Sequence, residues 1–235
     1  MSAACSSKIN VALHIHTRIS ACSETLPEDI SDFCLSREIS VVGITDHDTI
    51  LGAKTLQAIA KGIRVIIGSE IRTKQGEIIG LFIDEEIEHG LDARTTCEMI
   101  KDQGGIVYLP HPFDPFKIRR LKLRSIMRCL DLIDIVEVFN AKATFQVFNK
   151  IAESFALINK KIAAVGSDSH YLESIDMCLN QIDNFTTPAE FLESMKNAVF
   201  IKKRSGSARG WWIGVKNVLI AEGHKVQRYG RMKHK

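Results

Sequence analysis

Short apolar runs alternate with amphipathic ones along most of this chain. Residues 9–13, 41–44, 64–67, 77–83, 106–109, 133–139 and 162–165 are strand-length apolar runs, and 179–182 is a candidate last strand. Between them lie stretches with helical spacing. Residues 27–38 carry Pro in the first turn and apolar Ile30, Phe33 and Cys34 on one face. Residues 50–61 are closed by Gly62, and 91–102 by Gly104-Gly105. Residues 117–128, 142–159 and 188–198 complete the set. Strand–helix alternation at this period predicts an α/β protein with a parallel sheet. About seven units favour a closed or nearly closed barrel over an open doubly wound sheet. No G-x-G-x-x-G or Walker pattern argues for the open sheet.

Composition adds bounds rather than identity. The 235 residues are 45% hydrophobic and 25% charged, an ordinary globular profile. No apolar run reaches the roughly 18 residues that a membrane span needs. The first residues are short and polar, without a signal-peptide core. Six cysteines lack C-x-x-C pairing and read as reduced thiols, which points to the cytoplasm and against a zinc knuckle.

The net charge of +3 hides an asymmetry. Residues 201–235 hold ten of the 31 basic residues and one of the 28 acidic ones. The acidic remainder, residues 1–200, is expected to form the barrel. The basic extension 201–235 is expected to pack on it through Trp211-Trp212, or to touch a polyanion. A solvated tail is the alternative.

The chemistry sits in five separate segments. They are His14-Ile15-His16, Thr45-Asp46-His47-Asp48, Gly68-Ser69-Glu70, Pro110-His111-Pro112 and Gly166-Ser167-Asp168-Ser169-His170. Each follows a strand-like run, where an α/β barrel places its functional side chains. In extended chain, residues i and i+2 share a face, so His14 with His16, and Asp168 with His170, can meet one ion. Glu70 can bridge two cations. Helix capping is an equally ordinary use for Asp46 or Asp48. The set is nitrogen and oxygen without cysteine, which suits Mn²⁺, Zn²⁺ or Fe²⁺ better than Ca²⁺.

In this order the segments resemble the polymerase and histidinol phosphatase (PHP) superfamily, over about residues 9–170 and, with the intervening elements, to about 200. The resemblance implies a distorted (β/α)₇ barrel similar to a TIM barrel, and phosphoester hydrolysis with two or three divalent ions. It assigns His14, His16, Glu70 and Asp168 to one metal site. Glu70 would bridge to a second site with His111, and His47 and His170 would serve a third.

Two positions depart from the family pattern. Ser20-Ala21-Cys22 stands where members commonly read Ser-Asp-Gly, so the third-site carboxylate is missing at Ala21. Cys22 or Glu24 could stand in for it. Glu77 stands near where many members carry a His before an apolar strand, and it is a candidate ligand or a hairpin-edge residue. Only residues 71–110 separate the bridging Glu from the H-P motif, too few for the inserted helical domain of nucleotidase-type members.

The expected activity is attack on a phosphate ester by a hydroxide bridging two ions. Substrates would be nucleotides, oligonucleotides or sugar phosphates. Arg18, Arg119 and Arg120 are candidate phosphate-binding groups, with solvated charge as the alternative. Asp46 would orient a histidine from behind, with Asp48 a candidate for the same layer or a catalytic role; Glu137 and Asn140 would contact ligands or substrate, with an ordinary strand-end acid as the alternative for Glu137. Two other readings compete. One is a degenerate metal-binding or nucleic-acid-associated module, which metal analysis discriminates. The other is amidohydrolase-like cleavage of a non-phosphate bond, which substrate profiling discriminates.

Overall fold

The computed structural model describes residues 8–203. Its strands are β1 (Ile9–Ile15), β2 (Ile39–Ile44), β3 (Arg64–Arg72), β4 (Glu77–Leu81), β5 (Ile106–Leu109), β6 (Ile135–Asn140), β7 (Ile162–Gly166), β8 (Cys178–Ile182) and β9 (Val199–Lys202). Its helices are α1 (Pro27–Ser36), α2 (Leu51–Ile59), α3 (Ala93–Asp102), α4 (Leu123–Cys129), α5 (Gln146–Ile158) and α6 (Pro188–Met195), with a 3-10 helix at Leu172–Met177. The Trp211-Trp212 pair and the basic extension from residue 204 onward lie outside the described residues. The division expected at residue 200 falls inside β9, which pairs with β8. Among the described residues no helix is long and apolar enough to cross a membrane.

The strands form one nine-stranded sheet in the order β7-β6-β5-β4-β3-β2-β1-β8-β9. It is mixed, not parallel throughout. β1, β2 and β3 run parallel, as do β5, β6 and β7, but β4 is antiparallel to both neighbours. The reason is the length of the connection. Residues 73–76 join β3 to β4 as a hairpin, with Thr73 N–H donating to Gly76 O at 2.9 Å, whereas a parallel partner needs a crossover of about a dozen residues. β8 and β9 extend the sheet antiparallel beyond β1.

The sheet curls into a nearly closed barrel. β1 uses its first half to pair with β8 and its end to meet the exit of β7. Ser167 N–H donates to Leu13 O at 3.2 Å, Ser169 N–H to His14 O at 3.1 Å, and His16 N–H to Ser169 O at 2.9 Å. Lower down, the fully buried Asn180 of β8 bridges what the backbone leaves open. Its Oδ1 accepts Val165 N–H at 3.0 Å, and its Nδ2 donates to Val165 O at 2.9 Å and Val11 O at 3.3 Å. Asn180→Ala removes all three partners without touching the mouth of the barrel. We expect a loss of about 3 kcal/mol, because buried backbone groups left unpaired cost roughly 1–3 kcal/mol each. Urea unfolding should show a lower midpoint at unchanged slope, and an unaltered midpoint would assign closure to the backbone alone.

Inward-facing residues of the strands, among them Leu13, Val41, Ile66, Ile79, Tyr108, Ile135 and Ala164, pack with Phe185, Phe191 and Met195. The latter group lies at the strand starts, since Arg64 at the beginning of β3 donates to Asn184 Oδ1 at 2.7 Å and stacks on Phe185. One end of the barrel is therefore plugged by α6, and the polar residues gather at the other. Separate clusters seat α1 and α2, and α3, α4 and α5, against the outside of the sheet.

Three expected elements changed length for local reasons. Glu70 lies inside β3, which runs on to Arg72 because it exchanges β2 for β4 as its partner. The helix expected over 117–128 forms only as α4, since Glu77 N–H takes Arg119 O at 2.7 Å and holds residues 117–120 as a turn beside β4. The helix expected from 142 begins at Gln146, because Thr144 N–H is taken by Asp114 Oδ2 at 2.8 Å.

Candidate metal centre

The strand ends bring five imidazoles and three carboxylates into one buried cluster. Glu70 sits at its middle. Its Oε1 faces His14 Nε2 at 3.5 Å and His111 Nε2 at 3.1 Å, and its Oε2 faces His16 Nε2 at 3.4 Å and His47 Nδ1 at 3.2 Å. Asp168 Oδ1 faces His14 Nε2 at 3.9 Å, His16 Nε2 at 3.8 Å and His170 Nδ1 at 3.5 Å. Glu77 Oε1 is 3.8 Å from His47 Nδ1.

The backbone reaches this arrangement through left-handed residues. His14 has φ 61°, His111 φ 29° and Asp168 φ 50°. The simple i, i+2 geometry of an extended chain therefore does not hold at His14 and Asp168. His14 sits where the β1–β2 register shifts, between Ala12 and Ile15, so its ring meets that of His16 edge-on at 5.3 Å. Non-glycine residues in this region carry strain, and here it falls on the residues whose side chains converge.

Buried atoms without hydrogen-bond partners mark what the cluster lacks. They are His14 Nε2, both ring nitrogens of His16, His47 Nδ1, His111 Nδ1 and Glu77 Oε1. A buried polar atom left unpaired is costly, and so many together form a cradle for cations. Four groups offer ligand atoms within 4.8 Å of one another: His14, His16 and Glu70; His14, His111 and Asp168; His16, His47 and His170; and His47, Glu70 and Glu77. The residues present fit divalent ions. His16 adjoins the His47–His170 pair, with ring centroids 4.6 Å from each.

The electrostatics follow from this crowding. For Glu70, burial favours the protonated acid, but His14, His111 and His47 outweigh it and hold the carboxyl well below its usual range. For Asp168, burial is likewise outweighed by Lys117, His14, Lys142 and His170. His14 is depressed by burial but raised well above its ordinary value by Glu137, Glu70 and Asp168. His16 is pushed far down by burial and by the neighbouring His170 and His47, leaving it neutral and ready to ligate. Burial and the nearby Glu70 push Glu77 up.

A second layer fixes the first. Glu137 Oε1 accepts His14 Nδ1–H at 2.8 Å and the Tyr108 hydroxyl at 2.8 Å. Its Oε2 accepts His111 N–H at 2.7 Å and Asn140 Nδ2 at 2.9 Å. Asp46 touches no histidine. It accepts Thr17 N–H at 2.8 Å, Thr17 Oγ1 at 2.7 Å and Ser20 Oγ at 2.7 Å, and Ser20 Oγ in turn accepts His47 N–H at 2.9 Å. Asp46 thus orients His47 through Ser20. Asp48 is in none of the metal groups and clamps β3 by accepting Arg72 N–H at 2.7 Å and binding its guanidinium.

The candidate arginines differ in placement. Arg119 Nε lies 3.9 Å from Glu77 Oε1, Arg120 bridges Glu77 by its backbone, and Arg18 is exposed on the loop after β1. Ala21 is exposed on the same loop. Beside it Cys22 is held up at about 12 by burial, Asp168 and Glu70. Sequence reading missed two lysines. Lys117 Nζ binds Asp168 Oδ2, and Lys142 Nζ lies 2.6 Å from His170 Nδ1. It placed both within helices, over residues 117–128 and 142–159, and only the turns that replace those helix starts bring them to the mouth.

The structure is thus a nearly closed α/β barrel whose strand ends gather residues that could hold metal ions. Residues 12–173 match the PHP domain, and the chain belongs to that family. It is 42% identical over 152 residues, 60% of this chain and 86% of the relative, to the uncharacterized protein MJ1587 of Methanocaldococcus jannaschii. Its fold is similar to those of several crystal structures. One is a two-domain protein of Bacteroides vulgatus containing a predicted PHP-like metal-dependent phosphoesterase (TM-score 0.67, 16% identity, 83% of this chain and 65% of that one). Another is a lesion-specific endonuclease of Pyrococcus furiosus (TM-score 0.62, 16% identity, 82% and 57%). This chain thus spans less than two thirds of either structure.

Proposed function

We propose that this protein is a metal-dependent phosphoesterase. The observation that carries the reading is Glu70, a buried anion facing four imidazoles from three strand ends, with unpaired ligand atoms around it. His14, His16, Glu70, His111 and Asp168 would hold two ions, and His47 and His170, with Glu77 beside His47, would hold a further one. Divalent Mn, Zn or Fe bound there would supply Lewis-acid charge to a phosphoryl group and to the attacking water.

The chain's own residues set the geometry for that reaction. Glu137 keeps the proton of His14 on Nδ1, so Nε2 presents its lone pair to the mouth. Asp46 and Ser20 hold the backbone of His47 in place. Lys117, Lys142 and Arg119 put positive charge around the mouth, where an anionic substrate must enter. Burial draws the Lys142 ammonium down to about 8, which suits it to give a proton to a departing alkoxide.

The test is phosphate or nucleotide release by the purified full chain, loaded in turn with Mn²⁺, Zn²⁺ and Fe²⁺. The panel contains nucleotides, short oligonucleotides and sugar phosphates, with amide and lactone controls. We expect phosphoester turnover that chelation abolishes. Protein shown to carry at least about two ions that turns over no phosphoester would end the reading, and activity on the controls alone would replace it.

A further inference from the structure

Three phenylalanines stand beside the metal centre, and none is needed to build it. Phe116 follows β5, and Phe145 and Phe148 follow β6. Their ring centroids lie 5.9 Å (Phe116–Phe145), 6.5 Å (Phe116–Phe148) and 6.1 Å (Phe145–Phe148) apart, all tilted or edge-on. Phe116 is 62% exposed and Phe145 56%, so large apolar rings are held in water where burial would stabilise them.

The cluster is built rather than incidental. Asp114, itself buried, accepts Phe116 N–H on Oδ1 at 3.0 Å and Thr144 N–H on Oδ2 at 2.8 Å. One carboxylate therefore staples the loop that carries Phe116 to the loop that carries Phe145. The same two loops reach the metal centre. Lys117, next to Phe116, binds Asp168, and Lys142, three residues before Phe145, reaches His170. The run beyond Phe116 holds Lys117, Arg119, Arg120, Lys122 and Arg124 with no acid before residue 125. Exposed aromatic faces flanked by cations, next in sequence to a lysine that binds Asp168, match the chemistry of a nucleotide: a flat base beside a phosphate.

We propose that Phe116, Phe145 and Phe148 form a base-stacking platform, and that the ligand of this mouth is a nucleotide or single-stranded nucleic acid with an unpaired base. The identification of the phosphate end rests on the phosphoesterase reading, but the platform can be tested apart from it. The full chain, stripped of metal with chelator, is titrated against two labelled probes by fluorescence anisotropy. One is a short single strand of deoxythymidines, and the other is an abasic strand with the same number of phosphates. Any charge contact is common to both.

The wild type should prefer the base-bearing strand by roughly five-fold or more, the effect of one stacked base. F116A/F145A should bring the two affinities within about two-fold, and F116W should keep the preference. Both variants alter exposed rings, and a thermal melt matching wild type confirms folding. The platform is overturned if the wild type shows no preference or if the double variant retains it. It is also overturned if the double variant only changes a dimer into a monomer on sizing, which would make this face a protein contact. Base preference without any phosphoester turnover would sink the hydrolase reading and leave the platform. Turnover of sugar phosphates with no base preference would do the reverse.

Discussion

Glu70→Gln should abolish turnover. Gln keeps the shape of the side chain and removes its charge, at the point where His14, His16, His47 and His111 all converge within 3.5 Å. A carboxylate can present an oxygen to each of two cations, whereas an amide offers one oxygen and turns an N–H₂ donor towards the other pair of imidazoles. Two of the four ligand groups at the mouth include Glu70, so both lose their anion at once. The buried carboxyl is ionised only because the surrounding histidines outweigh burial, which ties the charge to this cluster. Losing several kcal/mol of transition-state charge stabilisation corresponds to a fall in kcat on the order of a thousand-fold. Elemental analysis should show fewer bound ions in the variant. A variant with full metal content and near wild-type kcat would remove Glu70 from the centre of the mechanism.

How far the chain could be read in advance depended on whether a feature leaves a local pattern. Apolar runs bounded by Gly, Asp or His marked most strands within a few residues, because strand burial is periodic in sequence. The histidines and carboxylates clustered around Glu70 were visible because each ends such a run, except Glu77, which begins one. The antiparallel β4 had a signal in the short connection at residues 73–76, which leaves no room for a crossover. β9 had little, since Val199–Lys202 is a brief run leading into a basic stretch.

Other features had no local pattern at all. Nothing at His14, His111 or Asp168 announces a left-handed backbone, which glycine would normally signal. Lys117 and Lys142 open stretches with helical spacing, and only the Glu77–Arg119 and Asp114–Thr144 contacts displace those helix starts. Asn180 and Arg72, and Asp114 through Thr144, act on partners at least 15 residues away in sequence, and only the closed barrel makes those pairs neighbours.

Glu137→Gln is expected to lower metal affinity or kcat/KM by roughly 10- to 100-fold, although no ion need touch Glu137. Four donors point at this fully buried carboxylate: His14 Nδ1, the Tyr108 hydroxyl, His111 N–H and Asn140 Nδ2. An amide cannot accept from all of them. With its N–H₂ towards His14, it favours the tautomer that puts the proton on Nε2 and removes the lone pair from the mouth. With its N–H₂ towards His111 N–H, donor faces donor and the H-P turn must move. Either way a ligand loses its aim. Gly166→Ala offers the same displacement with no change of charge, because the new Cβ would come within 1.9 Å of Glu137 Oε1 and 2.9 Å of the Tyr108 hydroxyl. Asp48→Asn is the contrast. Asp48 holds Arg72 and belongs to no ligand group, so its loss should leave metal affinity near wild type. Competition with a chelator of known affinity measures all three. If Glu137→Gln and Gly166→Ala bind metal as Asp48→Asn does, the tautomer of His14 is set by something other than Glu137.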